Sequence, residues 1–386
     1  MDFSLNDDQL AYQSAAREFA AGELAPHAAE WDENKIFPRE TIAAAGALGF
    51  CGMYSPPELG GLGLSRLDTT IILEELAAGC TSTAAFISIH NMATWMTCTW
   101  GSPQLREQWC ADLTAGKKLA SYCLTEPSAG SDAANLRTTA VRDGDVYIVN
   151  GSKMFISGAG ATELLVCMVR TGGPGAKGIS ALAIPADLPG IDYGKNEVKL
   201  GWNSQPTRAI MFDNVRVPVS CLLGAEGEGF KIAMRGIDGG RINIATCSIG
   251  AAQATLTLAQ KYLRERDQFN QPLAQFQALQ FRIADMATDL VAARQMVRMA
   301  ASALDNDHPE KTVYCAMAKR FATDAGFEIC NQALQLHGGY GYLREYPIER
   351  FFRDARVHQI LEGTNEIMRV IIARRLLEEG ATETIR

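Results

Sequence analysis

The stretch that decides the fold class is DGDVYIVNG, residues 143–151. It is a short β-rich run bracketed by Asp143-Gly144 and Asn150-Gly151, dipeptides that rank among the strongest local hairpin signals because they tolerate positive φ. LLVCMV at 164–169 and ISALAI at 179–184 repeat the texture. Residues 119–225 therefore read as one compact antiparallel β-barrel or sandwich. On both sides the apolar period changes from two to 3.6. Upstream, Leu67 to Ala78 and Ala84 to Trp100 have helical spacing and SPPELGGLGLS breaks the pattern, so 1–118 reads as all-α. Downstream, Leu279, Ile283, Met286, Leu290, Ala293, Val297, Ala300 and Leu304 form one stripe along a long helix. Gly250-Ala251-Ala252 lets neighbouring backbones approach, and 226–386 reads as an antiparallel four-helix bundle. The expected class is α+β, with units at 1–118, 119–225 and 226–386.

With 386 residues and 47% hydrophobic side chains, the chain has material for several cores. Mean hydropathy is -0.04, and no run approaches the roughly 18 uninterrupted apolar residues of a spanning helix. The opening MDFSLNDDQLAYQ carries acids at once, so an aqueous compartment is expected, a bacterial cytoplasm or, for a mature eukaryotic form, the mitochondrial matrix. A net charge of -8 without a separate basic block argues against nucleic acid or membrane as the partner. The ten cysteines lie singly, in mostly apolar settings, and read as buried thiols. No CxxC or HxxxH occurs, so no protein-ligated metal is expected and redox chemistry would need an organic cofactor.

Five strings carry chemistry: YCLTEPSAGSD (122–132), KMFISGA (153–159), ERDQFNQPLAQFQ (265–277), ALQLHGGYGY (333–342) and RDARVHQILEGTNEIMR (353–369). The first forces an irregular loop whose free N–H groups could hold a heterocycle or pyrophosphate. GGYGY follows no strand and opens no βαβ unit, which excludes a dinucleotide fingerprint of the NAD type. In this order, over this α/β/α layout, the strings resemble the acyl-CoA dehydrogenase family across essentially the whole chain. WNSQPTRAI (202–210) and RGIDGGRINIATCSIGAA (235–252) resemble its members acting on short branched acyl groups, isobutyryl-CoA above all.

The resemblance implies FAD, an acyl-CoA substrate oxidised to the trans-2-enoyl-CoA, electron-transfer flavoprotein as acceptor, a homotetramer, and a place in branched-chain amino-acid catabolism. Glu362, before a glycine in QILEGTNE, matches the base that takes the α-proton, while hydride passes to flavin N5. Some branches carry that base at the position of Gly240, where a glycine cannot serve. Matching the flavin contacts are Tyr122, Cys123, Leu124, Thr125 and Ser131, then Phe155, Ile156 and Ser157, where the family often has tryptophan at 155. Others are Arg266, Phe269, Phe276, Gln277, Gln335, Leu336, His337, Gly338, Gly339, Thr364, Asn365 and Glu366. Arg266 would meet pyrophosphate across a subunit boundary. Its plain alternative is an ion pair with Glu265 or Asp267. His337 reads as structural. Ser131, Asp238, Gly239, Gly240, Arg241 and Arg374 match thioester and CoA positions, and Phe86, Ile89, Met92 and Ala93 would bound the acyl chain. An acyl-CoA oxidase of the same fold and a scaffold without catalysis remain the alternatives.

Overall fold

A computed structural model describes residues 4–377 and 383–385; residues 1–3, 378–382 and 386, at the ends of the first and third units, lie outside the described residues. The first unit is helical: α1 (Asp7–Phe19), α2 (Ala28–Asn34), α3 (Arg39–Ala47), α4 (Arg66–Gly79), α5 (Thr81–Trp100) and α6 (Pro103–Thr114). Short polar side chains start three of these helices, α1, α4 and α6, since each satisfies an N–H the first turn leaves free. Asn6 and Gln9 close a capping box on α1, Ser65 caps α4, and Ser102 caps α6 ahead of Pro103.

The sheet comprises β1 (Ala120–Cys123), β2 (Thr139–Asp143), β3 (Val146–Ser157), β4 (Leu164–Arg170), β5 (Ile179–Pro185), β6 (Ile191–Tyr193), β7 (Thr207–Pro218) and β8 (Leu222–Leu223). Its order is β6-β7-β3-β2-β4-β5-β8, with β1 paired on β4. Pairing is antiparallel except that β1 and β2 run parallel to β4.

Only one of the two predicted turns is a turn. Asp143 pairs with Val146, leaving Gly144 at φ +60° to open a two-residue loop. Asn150-Gly151 instead lies inside β3, at a register shift between Val149 and Gly151 opposite β7. Gly151 has φ +143°, and a Cβ there would stand 2.7 Å from the Thr138 backbone, so the glycine serves a bulge. A second shift, between Lys153 and Ile156, puts Phe155 at φ +59° with its ring 63% exposed.

The third unit holds α7 (Gly229–Glu265), a small hairpin of β9 (Asp267–Gln268) and β10 (Gln271–Pro272), then α8 (Gln277–Asp305), α9 (Lys311–Leu336), α10 (Ile348–Arg356) and α11 (Asn365–Leu377). By length and composition α7 alone among described helices could cross a membrane, but 78% of its most apolar window is buried in the protein. The α8 stripe meets the core as its spacing requires: Met286, Leu290, Ala293, Val297 and Ala300 are buried, and Leu279, Ile283 and Leu304 pack at its margin. All ten cysteines are free and buried.

Two helices belong to more than one core. Met92, Ala93 and Met96 of α5 and Ile232 and Ala233 of α7 pack with the sheet, whereas Ile244 and Cys247 of α7 pack with the first helices. The three units therefore meet along α5 and α7, and that junction positions the site.

Candidate functional site

Glu362 stands between α10 and α11 with φ +55°, followed by Gly363 at φ +87°. A left-handed glutamate pays for its Cβ, so the turn must be held from outside. Two cations hold it: Arg241 Nε donates to the Glu362 carbonyl at 3.4 Å, and Lys319 Nζ donates to the Gly363 carbonyl at 2.8 Å. The turn aims the carboxylate at α7, where Gly240 leaves room. A Cβ built at Gly240 would lie 2.7 Å from Glu362 Oε2 and 3.0 Å from Cδ.

Glu362 keeps part of its surface open, yet protein encloses its carboxyl. Burial pushes the group up to about 7, with Arg241 and Lys319 pulling the other way. Lys319 is itself pushed down to about 7 by burial, against the pull of Glu362. Tyr122 on β1 faces the same space: its hydroxyl is buried with no hydrogen-bond partner, and burial followed by the Glu362 charge raises it well above the usual phenol.

The residues carried over from the sequence fall into three groups. Around Glu362 stand Tyr122, Gly240 and Arg241, with Asp238 bonded to Arg241 Nη1 at 2.8 Å and to the Thr312 hydroxyl at 2.7 Å. Asn365 joins them through Lys319, at 2.8 Å. Gly239 abuts the buried guanidinium of Arg66, which lies 3.4 Å over the Tyr54 ring and leaves Nη1 without a partner.

The second group surrounds the loop 124–132. Thr125 accepts from Met154 N at 2.9 Å, which ties the loop to the β3 bulge beneath exposed Phe155. Lys153, fully buried, clamps the loop through the Leu124 carbonyl and Glu126 Oε1, at 3.2 and 2.8 Å. The side chains of Cys123 and Ile156 turn into the core, so only their backbones face the loop, and Ser157 accepts from Ser121 through its carbonyl. Ser131 is exposed in the same loop.

The third group sits at the far end of α7. Arg266, Gln335, Leu336, His337, Gly338 and Gly339 line an open cavity of about 690 Å³ with Tyr262 and Tyr340. Gly338 and Gly339 have nothing within 4 Å of where a Cβ would stand, so backbone is open to a ligand there. His337 is buried, stacks on Tyr262 at 4.4 Å and holds the Ala333 carbonyl at 2.8 Å. Phe269 and Asn270, both at positive φ, turn the β9–β10 hairpin and present the Phe269 ring 88% exposed beside Phe276. Gln277, Glu366 and Arg374 lie exposed on their helices. Some 25 residues of α7 separate Arg241 from Arg266, roughly 37 Å at 1.5 Å per residue.

Sequence reading missed Lys319 and Arg66. Lysine in AMAKRF looks like an ordinary helix surface residue, and Arg66 like a residue of a first helical turn. Only the packing shows both buried.

Models of the acyl-CoA dehydrogenase N-terminal, middle and C-terminal domains match residues 6–117, 121–215 and 227–377. The mitochondrial isobutyryl-CoA dehydrogenase of Bos taurus is 56% identical over 97% of this chain and 90% of its own length. That of Dictyostelium discoideum is 52% identical over the same shares. The solved butyryl-CoA dehydrogenase of Megasphaera elsdenii superposes with a TM-score of 0.94 at 38% identity, covering 98% of this chain and all of the other.

Proposed function

The chain belongs to the acyl-CoA dehydrogenase family, an oxidoreductase family dependent on FAD, and from that premise we propose that it oxidises a short branched acyl-CoA, isobutyryl-CoA favoured, with Glu362 as the base. The observation that carries this reading is the placement of the Glu362 carboxyl in the vacancy over Gly240, with its affinity for protons raised by burial.

The groups a flavin needs are present. The orphan Tyr122 hydroxyl, the exposed Phe155 ring at a strained bulge, the clamped 124–132 loop and the open Gly338-Gly339 backbone are sites a bound heterocycle and pyrophosphate would satisfy. When bound, FAD supplies the hydride acceptor for the substrate β-carbon. The chain supplies the proton chemistry. A thioester α-carbon is a weak acid, so the base must be strong near neutral pH and the developing enolate oxygen must be met by a donor. Glu362 meets the first need through burial. Its N–H donates to none of the described residues, which leaves it for the thioester oxygen.

Arg266 and Gly338-Gly339 stand too far along α7 from Glu362 for one cofactor to touch both in one subunit. We therefore assign that end of the bundle to the pyrophosphate of a neighbouring subunit's FAD, in a homotetramer. Buried Met92 and Ala93 close α5 against α7, where a Cβ at Gly236 would overlap Met96, and this supports a short acyl chain. Electron-transfer flavoprotein is the proposed acceptor for the reduced cofactor.

The test is anaerobic titration of the FAD-loaded protein with isobutyryl-, 2-methylbutyryl-, isovaleryl- and butyryl-CoA. Bleaching of the flavin band, fastest with isobutyryl-CoA, is expected. No bleaching with any of the four would overturn the reading, and stoichiometric hydrogen peroxide under air would move it to an oxidase.

A further inference from the structure

We infer that Lys319 is a positioning residue for Glu362, holding the left-handed turn that carries the base and lending it a neighbouring positive charge; this rests on the reading of Glu362 as the base. The observation is a lysine with no exposed surface in the interior of α9. A buried ammonium is costly unless its donors are used and its charge answered. Lys319 forms no salt bridge among the described residues. Its partners are the Gly363 carbonyl and Asn365 Oδ1, both at 2.8 Å.

Those two acceptors bracket the turn. Gly363 follows Glu362, and Asn365 is the first residue of α11. Asn365 is itself oriented from the other side, its Nδ2 donating to Asp324 Oδ1 at 2.7 Å and to Thr323 Oγ1 at 2.9 Å. The amide oxygen is thereby fixed toward Lys319. One ammonium thus ties α9, the strained turn and the start of α11 together, and with Arg241 on the preceding carbonyl it accounts for how a glutamate is kept at φ +55°.

Charge is the second half of the role. The groups facing Glu362 are Arg241 from α7, Lys319 from α9 and Tyr122 from β1; those facing Lys319 are Glu362, Arg241, Asp324, Glu366 and His358. Burial alone would drive the Glu362 carboxyl toward its neutral form, and only Arg241 and Lys319 oppose it. Arg241 is already bonded to Asp238, whose carboxylate offsets part of its charge. Lys319 makes no salt bridge among the described residues, and its charge adds to that of Arg241 in favouring the ionised Glu362 carboxylate.

The experiment compares Lys319→Met, Lys319→Gln and Lys319→Arg. Hydrogen–deuterium exchange is read without substrate over the peptide 357–366, and the pH dependence of kcat/KM is read with the best acyl-CoA. Lys319→Met removes donor and charge: exchange in 357–366 should quicken, kcat should fall roughly 10- to 100-fold because the base is displaced by a fraction of an ångström or more, and the acid limb of the profile should move up by about one unit. Lys319→Gln can still donate but carries no charge, so its limb should move while exchange stays nearer wild type. Lys319→Arg keeps the charge and should return the limb to the wild-type position. Should Lys319→Met fail to fold, Lys319→Gln decides by the same two readouts. Wild-type exchange over 357–366 together with an unmoved acid limb, in either neutral variant, overturns the proposal. A wild-type protein whose flavin is reduced by none of the four acyl-CoAs would sink the function assigned to Glu362, while the substrate-free exchange would still judge the turn.

Discussion

The carboxylate of Glu362 occupies the place a side chain at residue 240 would take, with Oε2 2.7 Å from a Cβ built there. Alanine at 240 should therefore do two opposite things. In the interior of a helix it should stabilise by about 0.5–1 kcal/mol relative to glycine, while pushing the carboxylate off its line to the substrate. We expect Gly240→Ala to melt no lower than wild type and to lose activity roughly 100-fold, the scale of an ångström's misplacement. Parallel melting curves and kcat decide it, and an active, more stable variant would mean the carboxylate can work from elsewhere.

The raised proton affinity of Glu362 has a thermodynamic counterpart. Its folded carboxyl titrates at about 7 against 4.5 unfolded, so the folded chain binds the proton more tightly between those values. Stability from this group is complete below about 4.5 and drains away as pH climbs toward 7, by roughly 3 kcal/mol or slightly more. Glu362→Gln is neutral throughout and should lack that slope, so its advantage in melting temperature over wild type should grow from pH 4.5 to 7. Its flavin should stay bound while turnover falls by orders of magnitude. A wild-type rate for Glu362→Gln would remove the residue from the mechanism.

The buried pair of Lys153 and Glu126, 2.8 Å apart, holds the 124–132 loop on the β3 bulge. Glu126 also accepts from Arg137 N at 2.6 Å and Thr138 N at 3.0 Å. Burial alone would raise this carboxyl, but Lys153 and those donors win and hold it below the usual glutamate value. Its contribution to stability is therefore present above the ordinary carboxylate range and is lost as pH falls below it. Lys153→Met leaves the carboxylate buried and unpaired, at a cost of about 3–5 kcal/mol. Chemical denaturation should show that loss, and FAD affinity should drop with it. Full FAD affinity would separate the loop's order from the pair.

The sequence was legible where residue type alone limits the role. A stripe stepping by four and three along α8 has to meet a core, and a glycine at 240 cannot be a base. It was silent where the same residue type can serve two geometries. Asn150-Gly151 reads as a hairpin turn because both turn and bulge ask for positive φ, and only the pairing of β3 with β7 separates them. Lys319 reads as surface because helical lysines usually are; its burial depends on α7 and on the Glu362 turn, remote in sequence. The same holds for the distance between Arg241 and Arg266, which appears once α7 is known to run unbroken.

That distance gives the last prediction. If Arg266 serves the flavin of a neighbouring subunit, the two catalytic essentials of one site come from two chains. In an isologous pair each site then contains Glu362 of one protomer and Arg266 of the other. Arg266→Ala alone should weaken FAD binding, since a guanidinium fork on phosphate is lost, and Glu362→Gln alone should bind FAD without turnover. Co-expressed, the two defects gather in one site of each mixed pair and leave the other site intact. Random pairing makes half the dimers mixed, with one of two sites whole in each, so about a quarter of wild-type activity should return. Recovery near that level, measured with isobutyryl-CoA on the purified mixed assembly, requires a site built across the interface. Activity no higher than the sum of the two single variants would confine the whole site to one chain, and Arg266 would then return to being an exposed arginine stacked near Tyr340.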